Sequence, residues 1–369
     1  MTKRPDAAIR SMQVAAYRIP TDAPEADGTF QWDATTLVVV QLEAGGQAGL
    51  GYTYADASLV RLIEGHFRDL LEGADAFAIG QLNERLWASV RNLGRSGLAA
   101  CAISAVDTAL WDLKARLLDL PLAHLLGMRR EDVAVYGSGG FTSYDDGRLR
   151  EQLGRWVQED GCHWVKMKIG ADSPRDVERV RVAREAIGEA GLFIDANGAH
   201  TPRSAIAFAH RIAELQVGWF EEPVSSDDLA GLRQVREALG ASGQAMDVTA
   251  GEYAYTPDDF RRLAEHGSVD VLQADLTRCG GVSGFLQAAG LCEAFHLDLS
   301  AHCAPALHLH ACCAAPRVRH QEWFHDHVRL ESLLFDGAPQ VESGRIAPDL
   351  ARPGHGLTLR EADARRYAI

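Results

Sequence analysis

The stretch His163-Trp164-Val165-Lys166-Met167-Lys168-Ile169-Gly170 reads as a strand whose two faces want different surroundings. Val165, Met167 and Ile169 fall on one side, suited to a cover of helices, while Trp164, Lys166 and Lys168 fall on the other. Isolated buried ammonium groups are strongly disfavoured, so two lysines on an inner face are not ordinary packing. The competing reading is a frayed, solvated edge strand. The surrounding sequence decides between them.

Short β-rich runs recur on both sides of this one, at Val133–Tyr136, His163–Ile169, Leu192–Asp195, Val217–Phe220, Asp247–Ala250, Val269–Gln273, Leu297–Ser300 and His320–Trp323. Amphipathic stretches such as Pro174–Ile187 and Ala205–Leu215 lie between them. Parallel strands need crossover helices, so eight runs at this rhythm predict an α/β barrel; an open doubly wound sheet is the rival. Before about residue 130 the pattern differs. Runs at Met12–Ile19 and Thr35–Leu42 are followed by helical segments, among them Ser104–Leu118 with Ser104 as N-cap and Val106, Leu110, Leu113 and Leu117 on one face. Strands followed by helices suggest a separate α+β unit.

In a barrel, chemistry sits where strands end and βα loops begin. The third run ends Asp195-Ala196-Asn197, the fourth Glu221-Glu222-Pro223, and the fifth Gly251-Glu252. Asp195, Glu221 and Glu252 are separated by 26 and 31 residues, each about one βα repeat, so they stand side by side on one rim. Three converging anions repel one another unless a cation joins them. All-oxygen ligands select a hard ion, Mg²⁺ or Mn²⁺, over Zn²⁺. The sixth run leads to Asp275 and the seventh to His302, neighbours by the same spacing, and such a carboxylate raises the basicity of an imidazole. The last run carries Glu322, a carboxyl group able to donate a hydrogen bond when protonated.

Composition narrows the functional classes. The net charge of −14 argues against nucleic acid as a partner, and the apolar fraction of 47% is enough for a sizeable core. The richest aliphatic run, Leu37-Val38-Val39-Val40, is far short of the roughly 20 residues that cross a bilayer, so no membrane association is expected. The opening MTKRPDAAIRSMQVAAYRIP lacks the apolar stretch of a secretory signal. Seven cysteines without a framework spacing suggest reduced thiols in the cytoplasm.

Lys166-Met167-Lys168, Asp195-Ala196-Asn197, Glu221-Glu222-Pro223, Gly251-Glu252, the Asp275/His302 pair, and Glu322, taken in this order, resemble the enolase superfamily and, within it, the mandelate racemase subgroup. Asp275-Leu276-Thr277-Arg278-Cys279-Gly280-Gly281 is also similar to members of that subgroup. The resemblance implies a modified TIM barrel, (β/α)7β, at residues 131–335, an N-terminal α+β capping domain at 1–130, and a segment at 336–369 that returns to the cap. It implies Mg²⁺ (with Mn²⁺ as the variant) on Asp195, Glu221 and Glu252, Lys168 and His302 as acid/base groups with Asp275 behind His302, Glu322 on the substrate carboxylate, and Asn197 and Lys166 in support.

Removing a proton next to a carboxylate is difficult because the resulting enolate dianion is unstable, and a divalent cation stabilises it as a Lewis acid. Lysine, at about 10.4, is a poor base near neutrality, and a second ammonium at Lys166 is expected to lower the pKa of Lys168. The resulting expectation is an acid-sugar (aldonate or aldarate) dehydratase that yields a 2-keto-3-deoxy acid; the alternative is a racemase or epimerase of an α-hydroxy acid. The expected partners are a small carboxylate substrate and further copies of the chain in a homo-oligomer. Specificity should come from loops of the cap, 21–32 (TDAPEADGTFQW) and 51–55 (GYTYA), with Phe30, Trp32 and Tyr54 as closing aromatics. The His- and Cys-rich stretch 302–313, including His308 and Cys312, matches no zinc spacing. Gly137-Ser138-Gly139-Gly140 lacks the pattern of a phosphate loop, and His325-Asp326-His327 reads as a hydrogen-bonding loop.

Overall fold

Alternating apolar residues near the N-terminus build an antiparallel sheet of three strands, β1 (Ser11–Ala26), β2 (Gln31–Ala44) and β3 (Gln47–Tyr54). The computed structural model describes residues 6–369, so the first five residues of the basic opening stretch lie outside it. β1 and β2 are longer than expected. Their register runs from Ser11↔Glu43 to Pro20↔Ala34, shifts, and resumes at Glu25↔Trp32. Residues 21–32 are therefore the far end of a hairpin and not a free loop. Its turn is tied by Asp27 Oδ1, which accepts from the backbone N–H groups of Thr29 (2.6 Å) and Phe30 (2.7 Å).

The second expected loop, 51–55, is mostly the end of β3. Glycine is required there by a close approach: a Cβ on Gly51 would meet Ala105 O at 2.1 Å, and one on Gly49 would meet Ala109 O at 2.3 Å. Both oxygens belong to the helix Leu98–Leu117, which starts earlier than expected because the Ala-rich segment LAACAI continues it backwards. Ser104 is thus not its N-cap; its hydroxyl donates to Ala100 O inside the helix (2.7 Å). Val106, Leu110 and Leu113 are buried as expected, but the opposite face is buried too, since the helix lies beneath the cap sheet.

From Val133 the chain forms eight parallel strands: β4 (Val133–Gly139), β5 (Trp164–Lys168), β6 (Gly191–Asp195), β7 (Val217–Glu221), β8 (Asp247–Ala250), β9 (Val271–Ala274), β10 (Asp298–Ala301) and β11 (Val318–Phe324). They pair in chain order, and β11 pairs with β4 to close the barrel. The fold is a modified TIM barrel with an N-terminal cap, and the open doubly wound sheet is excluded by that closure. Seven crossover helices join the strands, and a further helix, His325–Leu334, follows β11. His325-Asp326-His327 opens that helix and is not a loop; Asp326 is buried and accepts from the Thr35 hydroxyl of the cap.

Val165 and Met167 of β5 are buried outward, in the large cluster that includes Leu149, Leu153 and Val180 of the flanking helices. Inside the barrel, Tyr136, Phe193, Trp219 and Val271 form a separate apolar layer with Trp164 packed on it. His320 joins this floor, 4.8 Å from the Tyr136 ring and 5.3 Å from the Trp219 ring, and burial lowers its pKa to about 3, so it stays neutral. Among the described residues no helix is long and apolar enough to cross a membrane. All seven cysteines are free.

After the barrel the chain returns to the cap. Buried Asp112, on the Leu98–Leu117 helix, accepts from Leu50 N (2.8 Å), His355 N (2.8 Å) and Arg116 Nε (2.7 Å). Ile369 N donates to Ala16 O of β1 (3.1 Å). Asp112→Ala would leave two buried amides and a half-buried guanidinium without their acceptor. It is expected to lower the unfolding free energy by about 3–5 kcal/mol, measured by urea titration; a change under about 1 kcal/mol would show that water replaces the carboxylate.

Candidate active site

Each functional side chain stands at or beside the C-terminal end of its strand. Asp195 and Glu221 are the last residues of β6 and β7, Glu252 lies two residues beyond β8, Asp275 follows β9, His302 follows β10, and Glu322 lies within β11. Ligand atoms of Asp195, Glu221 and Glu252 all lie within 4.8 Å of one another, and all three residues are buried. Burial and the charge of Asp195 push the Glu221 carboxyl up to about 8, a sign of anions held together against their repulsion. Glu252 Oε2 is buried and accepts no hydrogen bond, although His302 Nε2 is 3.1 Å away. A converging, all-carboxylate donor set with an unused oxygen suits a hard divalent cation such as Mg²⁺ or Mn²⁺.

The two lysines bracket this cluster. Lys166 donates to both oxygens of Glu221 (2.6 and 2.7 Å) and lies 2.8 Å from Glu322 Oε1. Lys168, which pairs in register with Asp195, donates to Asp195 Oδ2 (2.5 Å) and Asn197 Oδ1 (3.1 Å). The expected lowering of the Lys168 pKa is not found. Burial and Lys166 both oppose its charge, but Asp195 and the other carboxylates outweigh them, and the pKa is raised. The expectation counted the second ammonium and omitted the carboxylate that strand register sets beside the first.

On the other side, His302 Nδ1 is 2.8 Å from Asp275 Oδ2, as the spacing predicts. Burial opposes protonation of His302, but Cys303, Glu252, Glu322 and Asp275 outweigh it and raise its pKa. Glu322 differs from expectation. Its oxygens accept from Ser138 Oγ (2.5 Å) and Cys303 N (2.8 Å), and Lys166 holds its carboxyl below the usual range against the effect of burial. It is an anion here and not a protonated donor.

The cap hairpin roofs part of this rim. Gly28 sits so close to the loops after β5 and β6 that a Cβ would meet Ile169 O at 2.5 Å and Ala196 O at 2.6 Å. Trp32 packs edge-on against Phe141 (5.6 Å), and its indole N–H donates to Glu25 Oε2 (2.8 Å). Tyr54 instead stacks on His327 at 3.5 Å, joining β3 to the helix after β11. Sequence reasoning missed Ser138, Cys303 and Glu25. Ser138 lies among glycines that carry no site signal, and only the β11–β4 closure brings it to Glu322. His308 is fixed in packing: its Nε2 accepts from Leu276 N (2.7 Å), and its Nδ1 lies 3.0 Å from Ala304 O. Cys312 is buried in the core.

With this geometry in view, residues 12–127 match the mandelate racemase / muconate lactonizing enzyme N-terminal domain, and residues 148–363 match the enolase C-terminal domain-like family. The chain belongs to the enolase superfamily, mandelate racemase subgroup. A mandelate racemase/muconate lactonizing enzyme-like protein from Rubrobacter xylanophilus is 48% identical, with a TM-score of 0.94 over 98% of this chain and 100% of that one. The 3,6-anhydro-alpha-L-galactonate cycloisomerase of Streptomyces coelicolor is 34% identical over 98% of this chain and 99% of its own. The L-talarate/galactarate dehydratase of Salmonella typhimurium LT2, solved with Mg and L-lyxarohydroxamate, is 28% identical, with a TM-score of 0.88 over 98% of this chain and 93% of that one. Its relatives are acid-sugar dehydratases and cycloisomerases, which makes this chain an enzyme of the lyase or isomerase kind.

Glu25 gives the roof a pH dependence. Burial, then Asp326, push its carboxyl up to about 9 from an ordinary 4.5. Between those values the folded protein holds a proton that the unfolded chain releases, so stability falls as pH rises, by at most ~1.4 kcal/mol per unit. Glu25→Gln should flatten that slope, and its urea midpoint should move less than the wild type's between about pH 6 and about pH 9. Equal movement would place the titration elsewhere.

Proposed function

We propose that the chain is a Mg²⁺-dependent acid-sugar dehydratase, in which Lys168 and His302 act on opposite sides of a substrate carboxylate anchored at Asp195, Glu221 and Glu252. The observation that carries the reading is the bracketing itself: Lys168 is bonded to Asp195 at one corner of the carboxylate cluster, and His302 touches Glu252 at another. A single base suffices for binding-linked deprotonation, whereas two proton carriers on opposing sides suit removal at one carbon and donation at the next.

The ion, when bound, supplies positive charge that steadies the developing carboxylate dianion and offsets the anionic field now holding the Lys168 proton. Lys168 Nζ then takes the α-proton, with Asn197 Oδ1 keeping the amine aimed. Asp275 accepts from His302 Nδ1–H, so it is the imidazolium, whose pKa these carboxylates raise, that presents a second proton on Nε2. That proton goes to the β-oxygen as the β-carbon–oxygen bond breaks. Water leaves, and the enol product tautomerises to a 2-keto-3-deoxy acid. Lys166 stays charged between Glu221 and Glu322, and the aromatic floor below it keeps water from the base of the site.

The cycloisomerase relative, matched over nearly its full length, supports a second reading through the same two steps. Where the β-oxygen belongs to a ring, elimination opens the ring and conserves mass, so the reaction is an isomerisation. Racemisation would need the same first step and no elimination.

A screen of aldonic and aldaric acids with Mg²⁺ should yield a semicarbazide-reactive keto acid. Mass spectrometry then tells loss of water from ring opening, and α-deuterium exchange without a keto product would mean racemisation. EDTA should abolish turnover and added Mg²⁺ restore it. Lys168→Ala and His302→Asn should each lose about a thousandfold or more in kcat while still binding Mg²⁺ by calorimetry. Unchanged turnover in either variant removes that residue from the mechanism.

A further inference from the structure

On the His302 side of the site an apolar wall leads from the acid/base imidazole towards the cap hairpin. Cys303 Sγ lies 3.3 Å from His302 Nε2, so the wall beside the acid/base imidazole begins with sulfur. Cys303 clusters with Phe141, Tyr144 and Phe324, and Trp32 packs on that cluster from the cap. Phe30 stacks on Trp32 with centroids 6.2 Å apart. The hairpin is held onto the rim by Gly28 and by Thr142, whose N–H donates to Ala26 O (2.8 Å) and whose hydroxyl donates to Asp27 O (2.7 Å).

Charge points the same way. Besides the buried Glu25, residues 21–32 carry the acids Asp22 and Asp27 and neither lysine nor arginine. The cations nearest the rim are already committed. Lys166 and Lys168 face the carboxylate cluster. Arg278 lies 3.4 Å from Glu252 and 3.5 Å from Asp275. Arg179 is turned to the carbonyl oxygens of Gly140, Phe141 and Tyr144, behind the aromatic wall. A second substrate carboxylate at this end would lose its water against rings and sulfur and meet Asp22 and Asp27 on the hairpin; the nearby cation Arg148 lies over the Tyr144 ring (4.1 Å) and 3.5 Å from Asp22.

We infer that the substrate is a monocarboxylate acid sugar whose end remote from the reacting carbons is uncharged, and that the Trp32–Phe141–Phe324–Cys303 wall excludes dicarboxylates. The inference rests on the proton-abstraction reading above and narrows it. It separates the two named relatives, since one acts on a galactonate and the other on the diacids talarate and galactarate.

The test is reaction in D₂O with Mg²⁺, followed by NMR for α-hydrogen exchange or keto-acid formation, on aldonate and aldarate pairs of matched configuration. The expected result is reaction of at least one aldonate, at a kcat/KM about a hundredfold or more above its aldarate. Calorimetry on the Mg²⁺-loaded Lys168→Ala protein should show the same order of affinity. Trp32→Arg, which places a cation on the wall, should raise the aldarate-to-aldonate ratio at least about tenfold; mere damage to the fold would lower both rates together. An aldarate used as well as or better than its aldonate overturns the inference while leaving the proton-abstraction reading standing. Neither exchange nor keto acid from any acid of either series overturns both.

Discussion

Mutual repulsion among Asp195, Glu221 and Glu252 is the constraint around which the barrel mouth is arranged. Three buried carboxylates within 4.8 Å of one another are intolerable without compensating charge, and every neighbouring strand answers that demand. β5 supplies Lys166 and Lys168, the β10 end supplies His302, and the loop after β9 supplies Arg278. The answer is incomplete in charge: burial and Asp195 still push Glu221 up to about 8. A divalent cation held by these three carboxylates would supply the missing positive charge and offset the field that keeps the Lys168 ammonium on Asp195.

The two layers inside the barrel divide the work. The rings of Tyr136, Phe193 and Trp219, with neutral His320, form a floor without charge. Above it, ionic contacts act in a dry setting and are stronger for it. Lys166 marks the boundary, with its ammonium in the carboxylate layer and 5.5 Å above the Tyr136 ring. Glu322 is drawn into the ionic layer as an anion by Lys166, Ser138 and the Cys303 amide, which is why its protonation state could not be read from its position on the last strand.

The barrel and its polar rim were legible because the two signals are both periodic in the chain: one strand per repeat, and one acid or base per strand end. What escaped the sequence depended on contacts between distant segments. The hairpin at 21–32 looked like a loop because its pairing is interrupted between Pro20 and Glu25 and resumes only at Glu25↔Trp32. The Leu98–Leu117 helix looked shorter because its alanines give no amphipathic contrast when both faces are covered. The sign of the Lys168 shift was missed for a related reason. Sequence neighbours were counted, while the cross-strand neighbour Asp195 has the larger influence.

The Asp112 carboxylate gathers β3, the long cap helix and the returning tail at one point, through Leu50, Arg116 and His355. On the ribosome the first two partners emerge early and the third only after the whole barrel has been made. Until then a nascent cap carries a buried acid with an unmet share of its donors, and its lower surface lacks the barrel it rests on. The cap therefore draws on both ends of the chain, and the last donor to its buried acid is the last to be synthesised.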